Sequence, residues 1–351
     1  MLRSFRTFRK IVPIPLLCLL MAISLVPAYS QSGNWNIKDE KLTNNWMIHS
    51  VELLQEGGHQ ISTATFQPNG WYPVEVPTTV LAALVKNKAY KEIYTDDDQD
   101  EIPANKDLHF DRNLTKIPLY KFNVPWWYRT TFTLPKESAR QIVRLQFDGI
   151  NYRADIWLNG HKIASADTLN GSFRQFTLNV TPYVKSGVNV LAVEVSRPWP
   201  GDLAPGFADW NPVPPDHNMG LWRPVHLLIS GPVTIDRPFI QTKVDTATLD
   251  DADLTISTVV HNYSPNPVQG KLTGFITEHR SNIRFSKNIM LKAGEAREVV
   301  FTPAQFHQLS MDHPKFWWVH DLGKPNLYSL HLKFTIDNKL SDDKTIHFGI
   351  R

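Results

Sequence analysis

The sequence predicts an all-β protein of two consecutive sandwiches, and three observations carry that expectation. Short runs rich in β-branched and aromatic residues recur along the chain, separated by Gly, Pro, Asn and Asp. Only residues 80–85, Val-Leu-Ala-Ala-Leu-Val, present a helical apolar face, with Thr78 or Thr79 ahead of them as a cap. The texture then changes at Ser230-Gly231-Pro232, beyond which Trp is scarce until Trp317. The first part reads as an antiparallel jelly roll, the second as an immunoglobulin-like sandwich.

Residues 1–30 stand apart from both. Arg3, Arg6, Arg9 and Lys10 form a basic start, residues 11–26 are apolar, and Ala28-Tyr29-Ser30 supplies small residues ahead of a cut before Gln31. That is the pattern of a secretory signal peptide, so the chain is expected to be exported, periplasmic or secreted. Removing 30 of the 351 residues leaves 321, enough for two domains. Cys18, the only cysteine, leaves with the leader, so no disulfide is expected. Four positive charges leave too, taking the formal net charge from +3 to about −1. No basic patch argues for nucleic acid, and no later stretch is long and apolar enough to span a membrane.

In chain order, residues 128–134 (Tyr-Arg-Thr-Thr-Phe-Thr-Leu) form a strand that stops at Pro135, and residues 142–147 alternate cleanly before Asp148-Gly149. Residues 154–158 run into Asn159-Gly160, a strong hairpin signal, and return through 161–164. Further strands are expected at 175–180, 188–195 and 225–229. Beyond the boundary, strands are expected at 234–244, 253–261, 271–278, 284–291, 297–302, 328–336 and 345–349, with Ala293-Gly294-Glu295 as a turn. Seven strands at this spacing fit an immunoglobulin-like sandwich, although the Cys and Trp core of antibody domains is missing.

Chemistry is harder to find. There is no Gly-x-Ser-x-Gly elbow, no His-Glu-x-x-His, no cysteine cluster and no nucleotide-binding glycine loop. Neither a metal nor a cofactor is expected. The acids at 96–101 lack EF-hand spacing and are expected to form a solvated turn. The stretch from Gly206 to Val225 is the exception. Pro212, Pro214, Pro215 and Pro224 exclude a regular helix or central strand there, while Asp209, Asp216, Trp210 and Trp222 give the loop polar groups and flat aromatic faces.

Several stretches are similar to glycoside hydrolase family 2. Pro125-Trp126-Trp127-Tyr128-Arg129 resembles the strand opening of its sugar-binding domain. Phe147-Asp148-Gly149-Ile150-Asn151-Tyr152-Arg153-Ala154 with Trp157-Leu158-Asn159-Gly160, and Gly220-Leu221-Trp222-Arg223-Pro224-Val225, resemble two later motifs of that domain. Phe316-Trp317-Trp318, Gly323-Lys324-Pro325-Asn326-Leu327-Tyr328 and Phe348-Gly349-Ile350-Arg351 resemble motifs of the second domain, with Val319 standing where the family usually has Pro. The resemblance covers residues 33–351. Gly201-Asp202-Leu203 and Phe207-Ala208-Asp209-Trp210-Asn211-Pro212 resemble the exo-β-D-glucosaminidase branch, with the β-mannosidase branch as the alternative.

Beyond the signal peptide expected at 1–30, the resemblance implies a galactose-binding-like jelly roll at 31–230 and an immunoglobulin-like β-sandwich at 231–351. Family members continue into a (β/α)8 barrel of about 250 residues. That barrel supplies two catalytic Glu side chains about 5–5.5 Å apart. On this reading the barrel is absent here, no acid of this chain is catalytic, and the chain alone should not hydrolyse glycosides. The implied partners are carbohydrate, as β-glucosaminide or β-mannoside ends, and a barrel in cis or in trans. Asp209, Trp210 and Asn211 are the candidate substrate-binding residues: a carboxylate for sugar hydroxyls or an amine, and an indole face for a pyranose ring. For Arg129, Tyr152 and Arg153 a core or interdomain role is expected. The alternative function is a free-standing secreted carbohydrate-binding module.

Overall fold

The computed structural model describes residues 35–90, 119–138, 141–206, 213–278 and 281–351. The leader with Cys18 and the acidic run 96–101 lie outside the described residues. Strands β1 (Lys38–Lys41) and β2 (Trp46–Ser50) lead to one turn of helix, α1 (Gly58–Ile61), then to β3 (Tyr72–Val74) and β4 (Thr78–Thr79). Thr79 caps helix α2 (Val80–Lys86): its hydroxyl accepts from the Ala82 N–H at 3.3 Å. The helix turns Val80, Leu81 and Leu84 of its expected apolar face into the core together with Ala83, while Val85 packs against that core partly buried.

Strands β5 (Trp126–Leu134), β6 (Ile142–Phe147), β7 (Arg153–Leu158), β8 (His161–Ala164), β9 (Phe176–Asn179), β10 (Gly187–Ser196), β11 (Gly220–Leu221) and β12 (Val225–Ser230) complete the first sandwich. One sheet runs β1-β12-β6-β9, the other β3-β2-β5-β10-β7-β8, and β11 pairs separately with β4. Val143, Leu145 and Phe147 of β6 share a core with Tyr128, Phe132 and Leu134 of β5. The opposite face of β5 is covered too, because Ile61 and Trp71 fold over Trp127. There Arg129 donates to the carbonyls of Ile61 (2.9 Å) and Thr63 (3.0 Å), so it takes the core role expected of it.

The second sandwich comprises β13 (Val233–Val244), β14 (Asp251–Asn262), β15 (Val268–Glu278), β16 (Ser281–Leu291), β17 (Ala296–Phe301), β18 (Ser310–Asp312), β19 (Tyr328–Ile336) and β20 (Lys339–Phe348). Its sheets run β13-β14-β17, with β18 beside β14, and β16-β15-β19-β20. They enclose a second core that includes Leu254, Ile256, Leu272, Phe301 and Phe334. The last strand starts at Lys339, six residues before its expected start at 345. Asp337 (φ 48°) and Asn338 (φ 63°) form a two-residue turn that returns the chain directly, pairing Ile336 with Lys339.

Where the two cores meet, Arg144 of β6 is only 1% exposed. Its guanidinium lies 2.6 Å from Asp236 and 3.6 Å from Asp342. Asp342 also accepts from the Ile235 N–H at 2.8 Å, and burial pushes its carboxyl up to about 6. Beside it, the Ser341 hydroxyl and carbonyl bond to Val233 and Gly231. A Cβ on Gly231 would stand 2.6 Å from the Ser341 hydroxyl and 2.7 Å from the Trp35 ring, so only glycine permits this approach.

Candidate functional site

The proline-pinned stretch is held from both sides. On its entry side, β10 ends at Ser196, and Pro198 and Pro200 stop further pairing. The turn between them is closed by Asp202, whose backbone N–H donates to the Trp199 carbonyl (3.1 Å) and whose carboxylate accepts from the Trp199 N–H (2.7 Å). The same carboxylate takes an ion pair from Arg153 at 2.8 Å. The Arg153 guanidinium also packs on two rings, 3.8 Å from the centroid of Trp199 and 4.7 Å from that of Tyr152.

On the exit side, a turn from Pro214 to Met219 is organised by Asp216. Its carboxylate accepts from the Leu81 N–H (2.8 Å), at the start of α2, and from the Asn218 N–H (2.9 Å). Asp216 is fully buried, and that burial pushes its carboxyl up to about 6, although the hydrogen bonds it accepts work against the rise. Burial and the Asp216 charge also raise the Tyr128 hydroxyl well above its ordinary range. Gly220 passes so close to Tyr128 that an added Cβ would strike the phenol oxygen and stand 2.7 Å from the Thr78 carbonyl.

Asn151 braces the exit side. It exchanges backbone bonds with Gly220 (2.9 and 2.7 Å), and its side-chain amide donates to the carbonyls of His217 (2.9 Å) and Asn218 (2.7 Å). Its side-chain oxygen accepts from Ser172 at 2.6 Å. Asn218 in turn donates to the Pro205 carbonyl at 3.2 Å, across the base of the loop. Trp222 donates to the Ser172 carbonyl at 2.9 Å and meets Phe173 edge-on at 5.6 Å. The base is therefore a hydrogen-bonded collar with exposed aromatic groups, Trp199 and Phe173, around it.

Asp209, Trp210 and Asn211 lie outside the described residues, so the structure brings none of the three to a site. What it fixes is the chain on either side of them. Among the described residues, no group of three or more His, Cys, Asp or Glu is placed to hold a metal, and no helix is long and apolar enough to cross a membrane. In the sequence, Asn151 and Asp202 stood only as members of family-like motifs, with no site role, and Trp199 was not singled out. Trp199 carried a signal, being an aromatic set between two prolines, whereas the His217 carbonyl that Asn151 bonds is 66 residues away.

Both sandwiches match one family. Residues 46–204 match the glycosyl hydrolase 2 galactose-binding domain-like model, and residues 233–351 match glycosyl hydrolases family 2. The chain belongs to glycoside hydrolase family 2, carrying its galactose-binding-like and immunoglobulin-like domains. It is 32% identical over 307 residues to the exo-beta-D-glucosaminidase of Streptomyces avermitilis, covering 87% of this chain and 32% of that protein. The crystal structure of the exo-chitosanase CsxA from Amycolatopsis orientalis superposes with a TM-score of 0.75 at 31% identity, over 90% of this chain and 34% of that one. A mannosylglycoprotein endo-beta-mannosidase of Lilium longiflorum is more distant, 27% identical over 88% of this chain and 34% of its own length. The chain thus spans about a third of the length of these relatives.

Proposed function

We propose that the two sandwiches are the non-catalytic N-terminal part of an exported, exo-β-D-glucosaminidase-like hydrolase. A catalytic barrel, in the same polypeptide or in another, would supply the two carboxylates of the reaction. The loop 207–212 completes the sugar pocket of that barrel. In this role the Asp209 carboxylate accepts hydrogen bonds from sugar hydroxyls or pairs with the ammonium of glucosamine. Trp210 offers its ring to the apolar face of the pyranose, and Asn211 adds an amide that both donates and accepts. The basic leader and small-residue cut site support export.

The single observation that carries this reading is the 32% identity to an exo-β-D-glucosaminidase across 87% of the chain. The collar gives it a physical basis. A loop that must meet a sugar held by another domain needs rigid ends, and Asn151, Asp202, Asp216 and Asn218 tie both ends down. The first test is the intact mass of the native product. A mass larger by a barrel, about 250 residues or more, fits the hydrolase; a mass matching two sandwiches favours a free-standing carbohydrate-binding module. The second test is Asp209→Ala in the barrel-bearing enzyme. Loss of kcat/KM on an aryl β-D-glucosaminide by about tenfold or more, with Tm unchanged, is expected. Lost stability with normal kinetics would show that Asp209 only braces the loop.

A further inference from the structure

We propose that Trp199 is a second sugar-binding position, a stacking platform for the uncharged face of a pyranose ring, an inference that rests on the carbohydrate function proposed above. A single exposed aromatic is ordinary on a protein surface and needs no explanation. Trp199 differs because it is both exposed and fixed. It is 65% exposed, yet one ring face rests on the Arg153 guanidinium at 3.8 Å, so the exposed area lies on the opposite face and edge.

Its backbone is fixed as well. Pro198 and Pro200 restrict the chain on either side, and Asp202 holds the Trp199 N–H while pairing with Arg153. Burying this ring against a core would need none of that support. A ring held in place while facing solvent has already lost the freedom that binding would otherwise take away. It is built as a binding surface. The neighbouring collar of the loop 207–212 puts it on the side of the sandwich that the proposed function assigns to sugar.

Electrostatics narrows the ligand. Arg153 covers one side of the ring as half of an ion pair with Asp202 (2.8 Å), so the free face is an apolar indole surface backed by a compensated charge. The C–H face of a hexopyranose carries no charge and suits the platform. Trp199 therefore takes the uncharged C–H face of a pyranose ring. This separates its role from that of the Asp209 carboxylate, which suits the amine.

Titration calorimetry on the chain as it stands tests this with three trisaccharides: the glucosamine trimer, the N-acetylglucosamine trimer and cellotriose. Binding of at least one is expected, with Kd rising about fivefold or more in Trp199→Ala. Trp199→Phe, which keeps an aromatic face, should stay within about twofold. Tm of both variants should match the parent, because the ring is mostly exposed. Trp199-dependent binding of cellotriose alone would leave the platform standing and overturn the glucosaminide assignment. Binding of glucosamine trimers that is indifferent to Trp199→Ala would do the reverse. No binding of any trimer at millimolar concentration would overturn the platform itself, and would leave the exposed indole as a contact for another domain.

Discussion

Asp216 is a fully buried carboxylate paired with no cation among the described residues, and it accepts from the N–H groups of Leu81 and Asn218. Its carboxyl sits at about 6 when folded. In the unfolded chain it would titrate near 3.9, roughly the unperturbed value. Between those values the native protein holds a proton that the unfolded chain has released. This contribution to stability is therefore full below about pH 4 and is lost as pH rises to about 6, by roughly 3 kcal/mol in total. Asp342, also raised to about 6, adds to the same window in the same direction. Asp216→Asn removes the titration and sets an amide donor against one of the two N–H groups. Urea unfolding should show a loss of about 1–3 kcal/mol at pH 4.5, narrowing toward pH 7. An unchanged slope between pH 4.5 and 6.5 would mean that Asp216 is not the group titrating. Asp216 was visible in sequence only as a loop acid, because its partner Leu81 is 135 residues away.

At the scale of elements, legibility followed length and one-sided burial. Residues 142–147 and 161–164 alternate or flank Asn159-Gly160, and their strands match the expected bounds. Helix α2 was legible from its cap and apolar face. The two-residue pair β4 and β11 and the three-residue β18 are too short to show a period, and they exist because α2 and β14 pack beside them. Strand β5 was recognised by residue type, but covering on both faces erases alternation over Trp126 to Thr130. That second covering layer rests on Arg129, whose own positive charge burial disfavours. Arg129→Met should leave the Ile61 and Thr63 carbonyls without their donor and cost about 2 kcal/mol. Hydrogen exchange should speed up in residues 58–63 and stay unchanged in β12. Equal acceleration everywhere would mean that Arg129 holds the whole sandwich and not this layer.

For the whole molecule, the decisive contact is the ion cluster in which Arg144 of the first sandwich meets Asp236 and Asp342 of the second. Ser341 and Asp342 lie ahead of the strand expected at 345–349, within the part of β20 that the sequence did not show. Nothing local reveals that Asp342 bonds Ile235, 107 residues earlier, or that Ser341 grips Val233 and Gly231. A buried cluster of this kind adds little over an apolar replacement, but removing one member leaves charge without compensation. Arg144→Met is accordingly expected to destabilise the chain by about 3–5 kcal/mol at pH 7. The loss should shrink toward pH 5, because the Asp342 carboxyl, already raised to about 6, takes up a proton once its cation is gone. Adding Asp342→Asn to Arg144→Met should recover part of the loss at pH 7 and little at pH 5. Urea unfolding of the single and double variants at both pH values measures this. A cost independent of pH, with no recovery in the double variant, would assign the effect of Arg144 to packing against Tyr263, which lies 5.8 Å from its guanidinium. The junction would then be held by Ser341 and Gly231, with the charges as bystanders.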